Sequence, residues 1–152
     1  MKHLRILSIV LSVLIVLMCV SACKIIKYTY SFAQSMEQVE TVELCRYDYA
    51  AKTITQIKSL DKEDARGLLL DISSMDAYRN FGDYEREDFG HVVVYVTYQD
   101  GAHELIGTWS AAVSDASGNW EIKNNWFESL KWRDVILKYI DASLVPELLR
   151  YK

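Results

Sequence analysis

Val92-Val93-Val94-Tyr95-Val96-Thr97-Tyr98-Gln99-Asp100-Gly101-Ala102-His103-Glu104-Leu105-Ile106-Gly107-Thr108-Trp109 is the stretch that decides the fold. Seven β-branched and aromatic residues run up to Asp100-Gly101, a strong short-range hairpin signal. A two-residue loop there predicts Gln99 opposite Ala102, Val96 opposite Leu105, Val94 opposite Gly107 and Val92 opposite Trp109. Side chains alternate across a strand, so Val92, Val94, Val96, Tyr98, Leu105 and Trp109 form the expected core face. His91, Val93, Tyr95, Thr97, Glu104, Ile106, Thr108 and Ser110 are expected on the other face. A slip of one residue would exchange the two sets.

Downstream, Leu105, Gly107, Trp109, Ala111 and Val113 share one parity. A four-residue loop at Asp115-Ala116-Ser117-Gly118 predicts Val113 opposite Trp120 and Ala111 opposite Ile122, bringing Trp120 and Ile122 to the core face. Asn125 reads as the cap of a last helix, with Glu128 three residues on as in a capping box. Trp132, Val135, Ile136, Tyr139 and Ile140 form its apolar stripe. Pro146 suits the first turn of a short terminal helix.

Upstream, Asp61 reads as an N-cap, with Glu63 and Asp64 in the first turn and Leu60 placed to staple onto Ala65. Ala65, Leu68, Leu69, Ile72 and Met75 then recur at helical spacing, and Gly67 costs this helix about 1 kcal/mol relative to alanine. Val42 and Leu44 alternate with Glu43 and Cys45, Asp48 to Lys52 reads as a turn, and Thr53-Ile54-Thr55 as a return strand. Tyr78 to Phe81 is a further short strand. The order is hairpin, helix, four-stranded meander, helix. It predicts an α+β fold in which an antiparallel sheet packs on two main helices as a two-layer sandwich.

The chain opens with Lys2, His3 and Arg5, an almost unbroken apolar run from Ile6 to Val20, and then Val20-Ser21-Ala22-Cys23. A basic head, apolar middle and small-residue end describe an export signal. The last four residues resemble the lipobox of bacterial lipoproteins, which implies cleavage before Cys23 and diacylation of its thiol. The alternative is an uncleaved membrane helix over the same run, close to the minimum length for a span. Either predicts an outward-facing body held at the cell membrane. Residues 1–22 are thus a signal or anchor, 23–38 a membrane-proximal tether, and 39–152 a single α+β domain. The order of strands and helices is also similar to that of small lipoproteins of Gram-positive bacteria, a resemblance that carries over no functional residue.

Removal of residues 1–22 takes Lys2 and Arg5 and no acid. Fifteen basic residues then face twenty-one acidic ones, a net charge near −6. Such a domain is a poor nucleic-acid binder and is repelled by anionic lipid headgroups. With Cys19 in the signal and Cys23 at the lipid site, Cys45 is left alone, so no internal disulfide is expected and the thiol is expected in the core.

Chemistry-bearing motifs are few. Ser59-Leu60-Asp61-Lys62 matches Ser-x-x-Lys, but the Ser-Asp-Asn and Lys-Thr-Gly partners that chemistry needs are absent from the sequence. His91 and His103 fall on opposite faces in the expected register, His103 beside Tyr98, which argues against a shared zinc site. Asp83, Glu85 and Glu87 alternate rather as calcium-loop ligands do, but Asp88 stands where such a loop needs glycine. No cofactor motif occurs. Val93, Tyr95 and Ile106 would form an exposed apolar strip, a candidate partner surface, unless another element covers them. The leading expectation is a non-enzymatic module binding a protein or envelope component. A small cell-wall hydrolase using Asp83, Glu85, Glu87 and Asp88 is a second, and a polysaccharide binder with Trp126 and Tyr95 as platforms a third.

Overall fold

The computed structural model describes residues 25–80, 89–123 and 125–150. Among these described residues, nine strands and two α-helices follow in the order β1 Ile25–Thr29, β2 Val39–Asp48, β3 Thr53–Ser59, α1 Lys62–Ser74, β4 Asp76–Asn80, β5 Val92–Tyr98, β6 His103–Ile106, β7 Ala111–Ser114, β8 Trp120–Lys123, β9 Trp126–Phe127 and α2 Ser129–Ile136. Short 3-10 turns lie at Met36–Gln38, Ala142–Leu144 and Pro146–Arg150.

The strands make two antiparallel sheets, one ordered β3-β2-β5-β6-β7-β8 and the other β1-β4-β9. The fold is α+β, with the N-terminal hairpin and the β5–β8 meander joined into one sheet. Its inner face meets α1, α2 and the small sheet across a common core. Val42, Leu44, Val92, Val94, Val96 and Tyr98 come from the large sheet, Leu68, Leu69 and Ile72 from α1, Trp132 and Ile136 from α2, and Ala77 and Phe127 from the small sheet.

Helix α1 forms as its sequence dictates. The Asp61 carboxylate accepts from the Glu63 and Asp64 amides at 3.0 and 2.9 Å, satisfying two donors that the helix itself leaves open. Leu68, Leu69 and Ile72 are its buried stripe. Gly67 has a packing role as well, since a Cβ there would stand 2.9 Å from the Tyr139 hydroxyl.

The register of the meander differs from the expectation by one residue, twice. At the first turn the Tyr98 amide donates to the Ala102 carbonyl at 2.9 Å, so the loop is Gln99-Asp100-Gly101. Gly101 takes φ +84°, the left-handed last position of a three-residue hairpin loop. Val96 therefore faces Glu104 and Val94 faces Ile106. Glu104 and Ile106 move to the core side, and Leu105 moves to the outer side. At the second turn the loop includes Asn119, because Asp115 accepts from the Asn119 amide and side chain, both at 3.0 Å. Ser114 then pairs with Trp120 and Ala112 with Ile122, so Trp120 and Ile122 stand on the outer face. Between the turns, Gly107 to Ser110 forms a corner closed by the Gly107 amide on the Ser110 carbonyl at 2.9 Å. A Cβ at Gly107 would come within 1.9 Å of the Phe89 carbonyl oxygen, so only glycine fits beneath that crossing segment.

Two end segments also depart from expectation. The last helix starts at Ser129, with Glu128 rather than Asn125 as its cap residue and no side-chain capping bond. The intervening Trp126–Phe127 is drawn into β9, where Phe127 is buried, stacks on Trp132 at 5.3 Å and donates its amide to Thr108 at 2.7 Å. The stretch expected as a tether, 23–38, is folded from Ile25 on. Strand β1 pairs along all of β4, and Tyr30 fills a buried core position.

Candidate functional site

The outer face of the large sheet holds a second, smaller core and, beside it, an open aromatic cluster. Cys45, Tyr47, Val93, Leu105 and Ala112 are buried there beneath Phe89, whose ring meets Tyr47 edge-on at 5.1 Å. Burial pushes the Cys45 thiol up to about 12, and the charge of Glu43 adds to this, so the group stays protonated and inert.

Tyr95 from β5, His103 from β6 and Trp120 from β8 converge next to this patch. Their ring centroids lie 5.2 Å apart for Tyr95–His103, 6.4 Å for His103–Trp120 and 6.5 Å for Tyr95–Trp120. Those three distances describe a triangle; in a column the outer two rings would lie much farther apart. His103 is near-parallel to its neighbours, at 20° to Tyr95 and 17° to Trp120. Trp120 is 47% exposed, while Tyr95 and His103 are half-buried. The backbone fixes this arrangement. The His103 amide donates to the Ser114 hydroxyl at 3.0 Å, and Thr97 Oγ1 lies 3.3 Å from His103 Nδ1. Glu43 is the cross-strand partner of Tyr95. Burial, then the charge of Glu43, raises the Tyr95 phenol above its ordinary value, so it remains a neutral donor. Flat rings beside a carboxylate and hydroxyls can stack on an apolar or sugar face while fixing its polar groups.

The three residues expected to form a partner strip are therefore split. Tyr95 belongs to the cluster, Val93 is fully buried at 0% beneath it, and Ile106 is fully buried at 0% in the main core on the opposite face. His103 stands on the outer face with Tyr95, not at the end of the core face with Tyr98. Trp126 lies on the other sheet, stacked on Tyr78 at 4.5 Å and 21°, and so does not join Tyr95 in one platform. Cys23 and the acids Asp83, Glu85, Glu87 and Asp88 lie outside the described residues. Among the described residues, no three His, Cys, Asp or Glu side chains gather as metal ligands, and no helix is long and apolar enough to cross a membrane.

The corrected register also creates a buried carboxylate. Glu104, 0% exposed, accepts from the Tyr30 hydroxyl at 2.6 Å, the Tyr98 hydroxyl at 2.5 Å and the Ala33 amide at 2.9 Å, and Lys123 Nζ lies 3.4 Å away. Its acceptor capacity is consumed by protein donors, and it has no access to a substrate. Glu104 is a structural latch. The signal for both Glu104 and Trp120 was present in the loops at Gln99 and Asn119, where one residue decides which face each side chain meets.

No protein family, no curated protein and no solved structure matches this chain.

Proposed function

We propose that this chain is a membrane-anchored, outward-facing binding module, not an enzyme, and that the Tyr95–His103–Trp120 cluster is where it meets a protein or envelope component. The observation that carries the reading is the exposed Trp120 ring held near-parallel to His103 and tilted against Tyr95 on the outer sheet face. Large, pre-ordered aromatic side chains are the usual anchors of recognition surfaces because little conformational entropy is lost when they are covered. The anchor part of the proposal rests on Val20-Ser21-Ala22-Cys23 and the apolar run before it. Diacylation of Cys23 would suffice for stable attachment, as two chains hold where one does not.

A photo-crosslinking amino acid at position 120, in cells, tests the surface. The expected result is a discrete adduct that vanishes on Tyr95→Ala and is absent when the same probe stands at exposed Tyr49. Equal yields from both positions would remove the assignment. Radiolabelled fatty acid tests the anchor independently, with label expected on the wild type and absent from Cys23→Ala.

A polysaccharide ligand is the second reading, favoured by the placement of Glu43 and Thr97 beside the rings. Wild-type retention on a panel of cell-wall glycans, lost on Trp120→Ala, supports it; no retention by the wild type excludes it.

A further inference from the structure

The β1–β4–β9 sheet has a face turned away from the core. Lys27, Tyr78 and Trp126 stand on it, alternating with the core-side residues Tyr28, Ala77 and Phe127. Trp126 and Tyr78 stack. Lys27 Nζ lies 2.8 Å from Asp76, and Lys131 reaches across from α2 to the same carboxylate at 4.0 Å and to Glu128 at 3.1 Å. Two ammonium groups face two carboxylates, so this patch is locally balanced in a strongly acidic molecule. Amphipathic rings flanked by long-stemmed lysines are the composition favoured where hydrocarbon gives way to water.

We infer that this face lies on the lipid interface of the membrane, an inference that rests on the anchor proposed above. Only Lys24 separates Cys23 from Ile25, the first residue of β1. Two residue steps of fully extended chain span at most about 7 Å. A chain held at Cys23 therefore cannot carry the small sheet clear of the headgroups, and an uncleaved helix over Ile6 to Cys23 leaves the same short link. A domain with net charge near −6 approaches an anionic leaflet at lowest cost through a balanced face bearing ammonium groups and rings. The two sheets share one core, so each turns its other face outward from it, and the two outer faces are distinct surfaces. Tyr78 and Trp126 stand on one of these surfaces, and Tyr95, His103 and Trp120 on the other.

The test uses the full chain, purified from membranes and reconstituted into vesicles of phosphatidylcholine brominated on its acyl chains, with tryptophan fluorescence compared against unbrominated vesicles. Co-flotation with the vesicles is measured first. The expected result is quenching that is mostly lost in Trp126→Phe and retained in Trp120→Phe. A chain that floats but shows no quenching overturns the inference and leaves the anchor standing; a chain that does not float overturns both. Shielding of Trp126 from iodide without lipid quenching would assign the face to a second copy or another protein, and also overturns it. Should Trp126→Phe fail to fold, quenching lost in Trp120→Phe overturns the inference, and quenching kept in a chain carrying both Trp109→Phe and Trp120→Phe supports it, because Trp132 is fully buried.

Discussion

The Tyr30 hydroxyl donates to Glu104 Oε1 at 2.6 Å, joining residues 74 positions apart in the chain. Tyr98 and the Ala33 amide bind the other carboxylate oxygen, so one buried acid fastens the N-terminal segment to the central hairpin. A buried carboxylate is tolerated only when its acceptors are satisfied, and here they are.

Glu104→Ala is therefore expected to cost on the order of 2–4 kcal/mol, because it leaves two buried phenols and an amide without their acceptor. Glu104→Gln keeps the shape but turns an NH2 group toward donors, and should fall between Ala and wild type. Urea denaturation midpoints at constant slope check the ranking.

The same cluster fixes an alkaline limit. Burial, then the charge and hydrogen bond of Glu104, raise the Tyr30 and Tyr98 phenols well above their ordinary value of 10.0. Their folded values exceed their unfolded ones, so the stability they contribute is complete below pH 10 and is lost as pH rises beyond it. Phenolate absorbance should show both groups silent until the chain unfolds. Normal titration of either in the folded protein would contradict the cage.

Gly67→Ala should fail to stabilise α1. Helix propensity alone predicts a gain of about 1 kcal/mol. The new methyl, however, would stand 2.9 Å from the Tyr139 hydroxyl and 3.3 Å from its Cε1. Tyr139 is held at both ends, because its hydroxyl donates to Asp71 at 2.8 Å and its backbone carbonyl accepts from the Lys58 ammonium at 2.6 Å. In a Tyr139→Ala background the gain of about 1 kcal/mol should reappear. Thermal unfolding of the four variants measures the coupling.

Cys45 should resist thiol reagents in the native state. It is buried, and its thiol is raised to about 12, so almost no thiolate is present at neutral pH. Mass spectrometry of the Cys45 peptide after labelling should show modification only under denaturant. Rapid native labelling would mean that the Phe89 cover opens.

Part of this molecule could be read directly. Asp61, its two amide acceptor bonds and the Leu68–Leu69–Ile72 stripe follow from local spacing, and the inner face of β5 follows from strict alternation. The faces of β6 and β8 did not, because each depends on loop length. Gln99 and Asn119 each add one residue to a turn, and a period of two converts that single residue into an exchange of faces. The aromatic cluster was missed for this reason, since its Trp120 and His103 lie on those two strands. The N-terminal segment was illegible for another: it has no clean local period, and Glu104, the partner of its Tyr30, is far away in sequence. Trp126-Phe127 followed helical capping rules on paper, but pairing with β4 and burial of Phe127 outweighed them.

The folding of β1 into the small sheet also sets where this protein can be cut. Proteolysis between Tyr30 and Val39 would leave the five-residue β1 ribbon and the Tyr30 plug joined to the body by noncovalent contacts alone, free to separate from the edge of β4. In the anchored form proposed above, the membrane would keep the fragment, and the body shed from it would carry an exposed sheet edge and an emptied core pocket, marking it for aggregation or degradation instead of leaving a soluble, working domain.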